Sequence, residues 1–247
     1  MGRITDTVKA LIIVNVLFFI GTMVIGDYAY ELFSLWFFKN EYFGVWQIVT
    51  HMFMHGGFMH ILFNMYALWA FGSPIEQMLG QKKFLFFYFS CGIGAALIHS
   101  LVNYYHFESA YTALVNAGLN SVDIQNILHT GQFPNSILNS VSRDTIESMY
   151  TAYNTPAVGA SGAIYGVLVA FGMLFPNVEL FLIFVPIPIK AKVFIPVLIA
   201  IDLFSGVTGY SLFGGGIAHF AHVGGALFGF IMMYYWKKNQ FNQNRWD

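Results

Sequence analysis

Residues 155–175 read TPAVGASGAIYGVLVAFGMLF, where one hydroxyl, Ser161, stands among small residues at the head of an apolar run. Two readings compete for it: a small residue that lets two helices touch, or a nucleophile inside a membrane. Composition decides the solvent first. The chain is 57 % hydrophobic, 19 % aromatic and 9 % charged, with mean hydropathy +0.62, whereas a soluble domain carries roughly 25 % charged residues. These values describe an integral membrane protein.

A hydrocarbon core about 30 Å thick takes about 20 apolar residues per helix. Runs of that kind lie near residues 8–26, 55–79, 84–103, 159–176, 191–209 and 216–236. They are too continuously apolar for the alternating strands of a barrel. The expected fold is an all-α polytopic membrane protein, a bundle of six transmembrane helices in a single domain over residues 1–247. With six spans both termini share one side. That side collects Arg3, Lys9, Lys82, Lys83, Lys190, Lys192, Lys237, Lys238 and Arg245, leaving Lys39 and Arg143 opposite. Lys and Arg concentrate on the cytoplasmic face, so both termini are expected in the cytoplasm. The formal net charge of −1 gives no basis for a nucleic-acid partner.

The first run follows Arg3 and Lys9 as a signal peptide would, yet no small-x-small cleavage site follows it, so it is read as a helix that stays. MGRITD has Asp6 where a myristoylation signal needs Ser or Thr. Cys91 is the single cysteine, which excludes an intramolecular disulfide and a thiolate metal cluster. The aromatic stretch DYAYELFSLWFFKNEYFGVW after the first run fits the headgroup zone. A polar stretch from about residue 104 to 157 is expected to form a helical insert outside the membrane, with Ser121 and Ser142 as helix caps.

Between Ser161 and Pro176 the fourth run has room for about sixteen helical residues, or about 24 Å, less than the bilayer core. Its outer end, Ser161, therefore sits below the membrane surface, and the unpaired amides of that helix start can hold an oxyanion. On the sixth run, GGGIAHFAHVGGALFGF, His222 lies about 9 Å in, a matching depth. Ala218, His222, Gly225, Ala226 and Gly229 share one narrow face, and such small-residue faces permit close approach. Ser161, Tyr165 and Gly172 form the expected matching face. Packed together, these faces bring a hydroxyl to an imidazole that can activate it. On the second run His60 and Asn64 stand at i, i+4, two hydrogen-bonding groups on one side, able with the Ser161 amide to hold a developing oxyanion.

HILFN after a histidine-rich entry, GASGAIYG and AHVGGALFG, in that order on runs two, four and six, resemble the motifs of rhomboid intramembrane serine proteases. The resemblance extends over nearly the whole chain and includes the bacterial six-span topology. It implies that Ser161 is the nucleophile and His222 its base, a dyad without a carboxylate. It further implies that His60 and Asn64 form the oxyanion hole, that Tyr165 stacks on His222, and that Gly159 is the glycine two before the serine. The implied reaction is hydrolysis of peptide bonds in or near transmembrane segments of protein substrates in the lipid bilayer, with neither metal nor organic cofactor. The implied location is a bacterial plasma membrane, with the site opening to the extracytoplasmic side. The aromatic stretch resembles the family's membrane-embedded loop, and GYSLFGGG its flexible cap. Two departures stand out: Gln47 follows Trp46 where the family often has arginine, and the insert is long.

Other readings compete residue by residue. Ser161 taken alone is a packing residue, and Tyr165 core. His219 competes with His222 as the base but points about 60° away. Asp202, an acid inside the fifth run, is expected to make a structural hydrogen bond. A metal centre built on His51, His55, His60, His219 and His222 lacks an HExxH motif. An inactive member that binds weak transmembrane helices without cutting them is the third alternative.

Overall fold

The computed structural model describes residues 3–182, 185–211 and 216–243. Helix α1 (Asp6–Ile25) has no side-chain cap of its own. Instead the Glu76 carboxylate accepts the Thr7 and Val8 amides at 3.1 and 3.0 Å and the Thr5 hydroxyl. A buried helix start cannot leave its amides unpaired cheaply, so a distant residue supplies the cap. The aromatic stretch then folds as α2 (Asp27–Phe33), α3 (Gln47–Thr50) and a 3₁₀ turn, His51–Phe53. Gln47 anchors it: the buried amide nitrogen donates to the Glu31 and Tyr42 carbonyls at 3.0 and 2.8 Å, and its oxygen accepts the Trp36 amide at 3.3 Å. The departure at Gln47 thus leaves the loop anchored. A neutral amide holds the loop without burying a charge.

The next helix is α4 (Phe58–Ala67), continued through a π-helical stretch, Leu68–Gly72, into α5 (Ser73–Leu79). It begins three residues later than the predicted 55, leaving His55 in the entry loop. The wide turn has a cause in Pro74, which has no amide to donate to the carbonyl four residues back at Ala70.

Helix α6 (Gln81–Asn116) runs 36 residues, about 54 Å, well past the predicted end near 103. Residues 104–116 hold no Gly or Pro and bury Phe107, Ala110 and Leu114 at helical spacing, so the helix carries on into the insert. Helix α7 (Ser121–Thr130) is capped by Asn120, which forms a reciprocal capping box with Asp123. The expected cap, Ser121, is its first helical residue. Asn120 displaces it because its backbone is extended while its side chain reaches the Val122 and Asp123 amides. Ser142 does cap α8 (Arg143–Asn154), accepting the Thr145 amide. Ile124, Ile127, Ile146 and Met149 bury themselves with Phe107, Leu114 and Phe37. Phe37 belongs to the aromatic stretch, which the insert also holds through Asn40 donating to the Tyr153 carbonyl at 2.8 Å and a Leu35–Ala157 backbone pair.

Helix α9 (Ser161–Leu174) has 14 residues, about 21 Å. An antiparallel hairpin follows, β1 (Glu179–Leu182) and β2 (Val185–Lys190), where only a connection was expected. Its strands are too short to register as a run. Helices α10 (Ala191–Thr208) and α11 (His219–Gln243) complete the described chain. By length and composition α1, α6 and α10 can each cross a membrane. Helices α6, α9 and α11 pack mutually at the centre. A Cβ on Gly229 would lie 2.6 Å from the Gly166 α-carbon, so the α9–α11 seam is backbone against backbone. Among helices in lipid, such contact replaces the missing hydrophobic drive. On α9 the touching residues are Gly162 and Gly166, whereas Gly172, expected on this face, meets Ile195 of α10.

Candidate active site

The chain reaches Ser161 through a strained turn. Gly159 has φ +122°, which side chains rarely adopt, and a Cβ there would lie 2.8 Å from His60 Nε2. The Gly159 amide donates to the His51 carbonyl at 2.9 Å, tying the turn to the 3₁₀ segment. Ser161 is then the first residue of α9.

Across the seam, Ser161 Oγ lies 2.8 Å from His222 Nε2. The Tyr165 ring, one turn along α9, stacks on the imidazole with centroids 4.2 Å apart and planes 14° from parallel. On its other nitrogen, Nδ1, His222 meets Asp202 Oδ1 at 3.1 Å. The expectation of an imidazole without an acidic partner therefore differs from the geometry. Sequence places Asp202 on another helix at unknown depth; folding sets it level with His222, since α10 and α11 are consecutive and join at this end. Asp202 also takes a hydrogen bond from the Tyr165 hydroxyl, and its Oδ1 lies 2.6 Å from His219 Nδ1. His219 Nε2 in turn meets Ser211 Oγ at 3.2 Å. Both of its nitrogens are engaged away from Ser161.

His60 and Asn64 face the turn from α4. His60 Nδ1 accepts the Gly56 amide at 3.3 Å, which leaves the ring proton on Nε2. That nitrogen is the atom nearest the empty side of Gly159, with Asn64 Nδ2 next to it. Asn64 Nδ2 is buried with no hydrogen-bond partner among the described residues. Two N–H donors thus converge on Gly159, two residues before Ser161. A buried donor left unpaired costs about 1–3 kcal/mol, a cost that a bound oxyanion would relieve.

His51 and His55 pack elsewhere. His51 Nδ1 lies 2.8 Å from the Gln47 carbonyl, and the His55 ring packs edge-on to His60. Among the described residues no three His, Cys, Asp or Glu side chains are grouped to hold a metal ion. A small cavity behind Ser161, bounded by His51, His99, Ala157 and Ala218, has room for about one water. Residues 212–215 of the expected cap lie outside the described residues.

Residues 42–120 and 126–239 match the Rhomboid domain. The chain is 28 % identical over 191 residues to "Rhomboid protein 1, mitochondrial" of Saccharomyces cerevisiae, covering 77 % of this chain and 42 % of that protein. It is 29 % identical over 199 residues to "Presenilin-associated rhomboid-like protein A, mitochondrial" of Danio rerio, covering 78 % and 39 %. With the Homo sapiens "Presenilin-associated rhomboid-like protein, mitochondrial" it shares 28 % over 194 residues, covering 76 % and 38 %. The chain thus spans about two fifths of the length of these relatives. Their names are mitochondrial, so they lend no support to the bacterial plasma-membrane expectation. The match reaches the turn before Ser161, the α4 donors and the α11 histidine alike, and the chain belongs to the rhomboid family.

Proposed function

We propose that this chain is an intramembrane serine endopeptidase that cuts peptide bonds in or near transmembrane segments of membrane-protein substrates. The carrying observation is the 2.8 Å contact between Ser161 Oγ and His222 Nε2. It is supported by the unpartnered Asn64 Nδ2 and by His60 Nε2, both facing Gly159, and by membership of the rhomboid family. His222 takes the hydroxyl proton as Ser161 attacks the scissile carbonyl, and the oxyanion is held by His60 Nε2–H, Asn64 Nδ2–H and the Ser161 amide. The tetrahedral intermediate collapses as His222 returns the proton to the leaving amine. Water activated by the same imidazole then frees the acyl-enzyme. Tyr165 keeps the ring from swinging and Gly159 leaves space for the donors. No metal or organic cofactor enters these steps.

The accompanying topology has six spans in one domain, both termini cytoplasmic, an extracytoplasmic insert over about 104–157, and a site opening outward in a plasma membrane. The substrate is a transmembrane protein with a small residue before the cut and helix-weak residues after it. The test is labelling of detergent-solubilised protein by a fluorophosphonate, with and without chelator. Labelling that resists chelator and disappears in Ser161→Ala and His222→Ala is the expected result. A folded wild type that does not label sinks the reading and returns Ser161 to helix packing.

A further inference from the structure

The proposed dyad leaves one thing unexplained: how a neutral imidazole presents a lone pair, rather than a proton, to Ser161. Stacking by Tyr165 fixes the ring plane but is blind to which nitrogen carries the hydrogen. Resting on the serine-protease reading, we propose that Asp202 is a positioning residue for His222. Its carboxylate, held by Tyr165 and His219, locks the imidazole in the tautomer whose Nε2 lone pair faces the Ser161 hydroxyl.

The argument follows the hydrogens. An ionised carboxylate only accepts, so His222 Nδ1, 3.1 Å from Asp202 Oδ1, must carry the proton. Nε2 is then bare, and at 2.8 Å it accepts from Ser161 Oγ. The same rule applied to His219 puts its proton on Nδ1, 2.6 Å from the same oxygen, and leaves Nε2 to accept from Ser211 Oγ. Oδ2 accepts the Tyr165 hydroxyl. Every direction in the chain Ser211, His219, Asp202, His222, Ser161 is then consistent with neutral rings. Reversing the His222 tautomer would set a lone pair against the carboxylate and a proton against the serine.

Three donors from two helices, α9 and α11, meet one side chain of α10. Asp202 is itself 4 % exposed, so water does not compete for it. Its two oxygens are divided: Oδ2 binds the residue that stacks on His222, and Oδ1 binds His222 itself. One carboxylate thereby sets ring plane, ring rotation and tautomer together. After proton transfer the same oxygen faces an imidazolium, whose charge it balances. Asp202 touches neither substrate nor the reacting oxygen, and acts only through the ring.

Two measurements test this in the full-length chain in detergent. The first is nitrogen NMR of 15N-histidine-labelled protein, with the His222 signals assigned by loss in His222→Gln. The proposal requires Nδ1 protonated and Nε2 bare in the wild type, and a mixed or reversed state in Asp202→Asn, whose amide can either donate or accept. A wild-type ring protonated on Nε2, or an unchanged tautomer in Asp202→Asn, overturns it. The second is the fluorophosphonate reaction. Asp202→Asn is expected to lower the maximal labelling rate by about 10²- to 10⁴-fold without changing the half-saturating probe concentration or Tm. A wild-type rate in that variant overturns the proposal. If Asp202→Asn does not fold, Tyr165→Phe keeps the stacked ring and deletes one donor to the carboxylate. It should cost about 10-fold in rate, and no loss would overturn the holding role. A wild type that fails to label defeats the protease reading instead, while the nitrogen spectra still decide whether Asp202 sets the tautomer.

Discussion

Glu76 and Asp202 are two carboxylates buried in the helical bundle, each 4 % exposed and each receiving three donors. They differ in what donates. Glu76 takes two backbone amides and a hydroxyl at the start of α1, all groups with one proton in one place. Asp202 takes a phenol and two imidazoles, rings with two tautomers and a basic nitrogen. The first arrangement fastens two helices, while the second is the one proposed to bear on reactivity. An acid buried among membrane helices is expensive wherever it occurs, so its presence alone does not mark a site. The chemistry of its partners does.

Three substitutions probe that contrast. The largest effect is expected from Gly159→Ala, which strains a backbone at φ +122° and puts a methyl 2.8 Å from His60 Nε2. Displacing that donor should slow fluorophosphonate labelling by about 10²-fold with only a small fall in Tm. Glu76→Ala should do the opposite. The stranded Thr7 and Val8 amides lower unfolding stability by about 2–4 kcal/mol, read as a loss of Tm, while the protein still folded labels at the wild-type rate. A slowed rate there, resembling that predicted for Asp202→Asn, would break the comparison. The smallest effect belongs to Gln47→Ala. Loss of its hydrogen bonds to the Glu31 and Tyr42 carbonyls should cost about 1–3 kcal/mol, and limited proteolysis should open the aromatic stretch before any other segment. Cleavage elsewhere first would show that the insert, through Phe37 and Asn40, holds that stretch unaided.

Much of the placement was legible in the order of residues. The face formed by His222, Gly225 and Gly229 follows from helical period, and α9 and α11 do meet along it. The i, i+4 pair His60 and Asn64 likewise faces one way because both belong to one helix, and the pair meets Gly159. What escaped depended on partners far along the chain. Asp202 does bond to neighbouring helices, as expected, but that its partners are Tyr165, His219 and His222 could not be read from spacing. Gln47 stands out in the sequence only as a departure from arginine, and its anchoring contacts come from residues 31, 36 and 42. Asn120 outcompeted Ser121 through one residue of register, and α6 ran on because the insert covered its apolar stripe.

By itself the sequence determined the solvent, the helical class and the three motif-bearing segments, since composition and a 3.6-residue period are local properties. The matching depth of Ser161 and His222 was legible there too, from the short fourth run and the place of His222 in the sixth. Only the tertiary structure decided the depth of Asp202, which packing levels with the imidazole of His222. No local pattern encodes it, because it is set by glycine contacts and hydrogen bonds that exist only once the helices have packed.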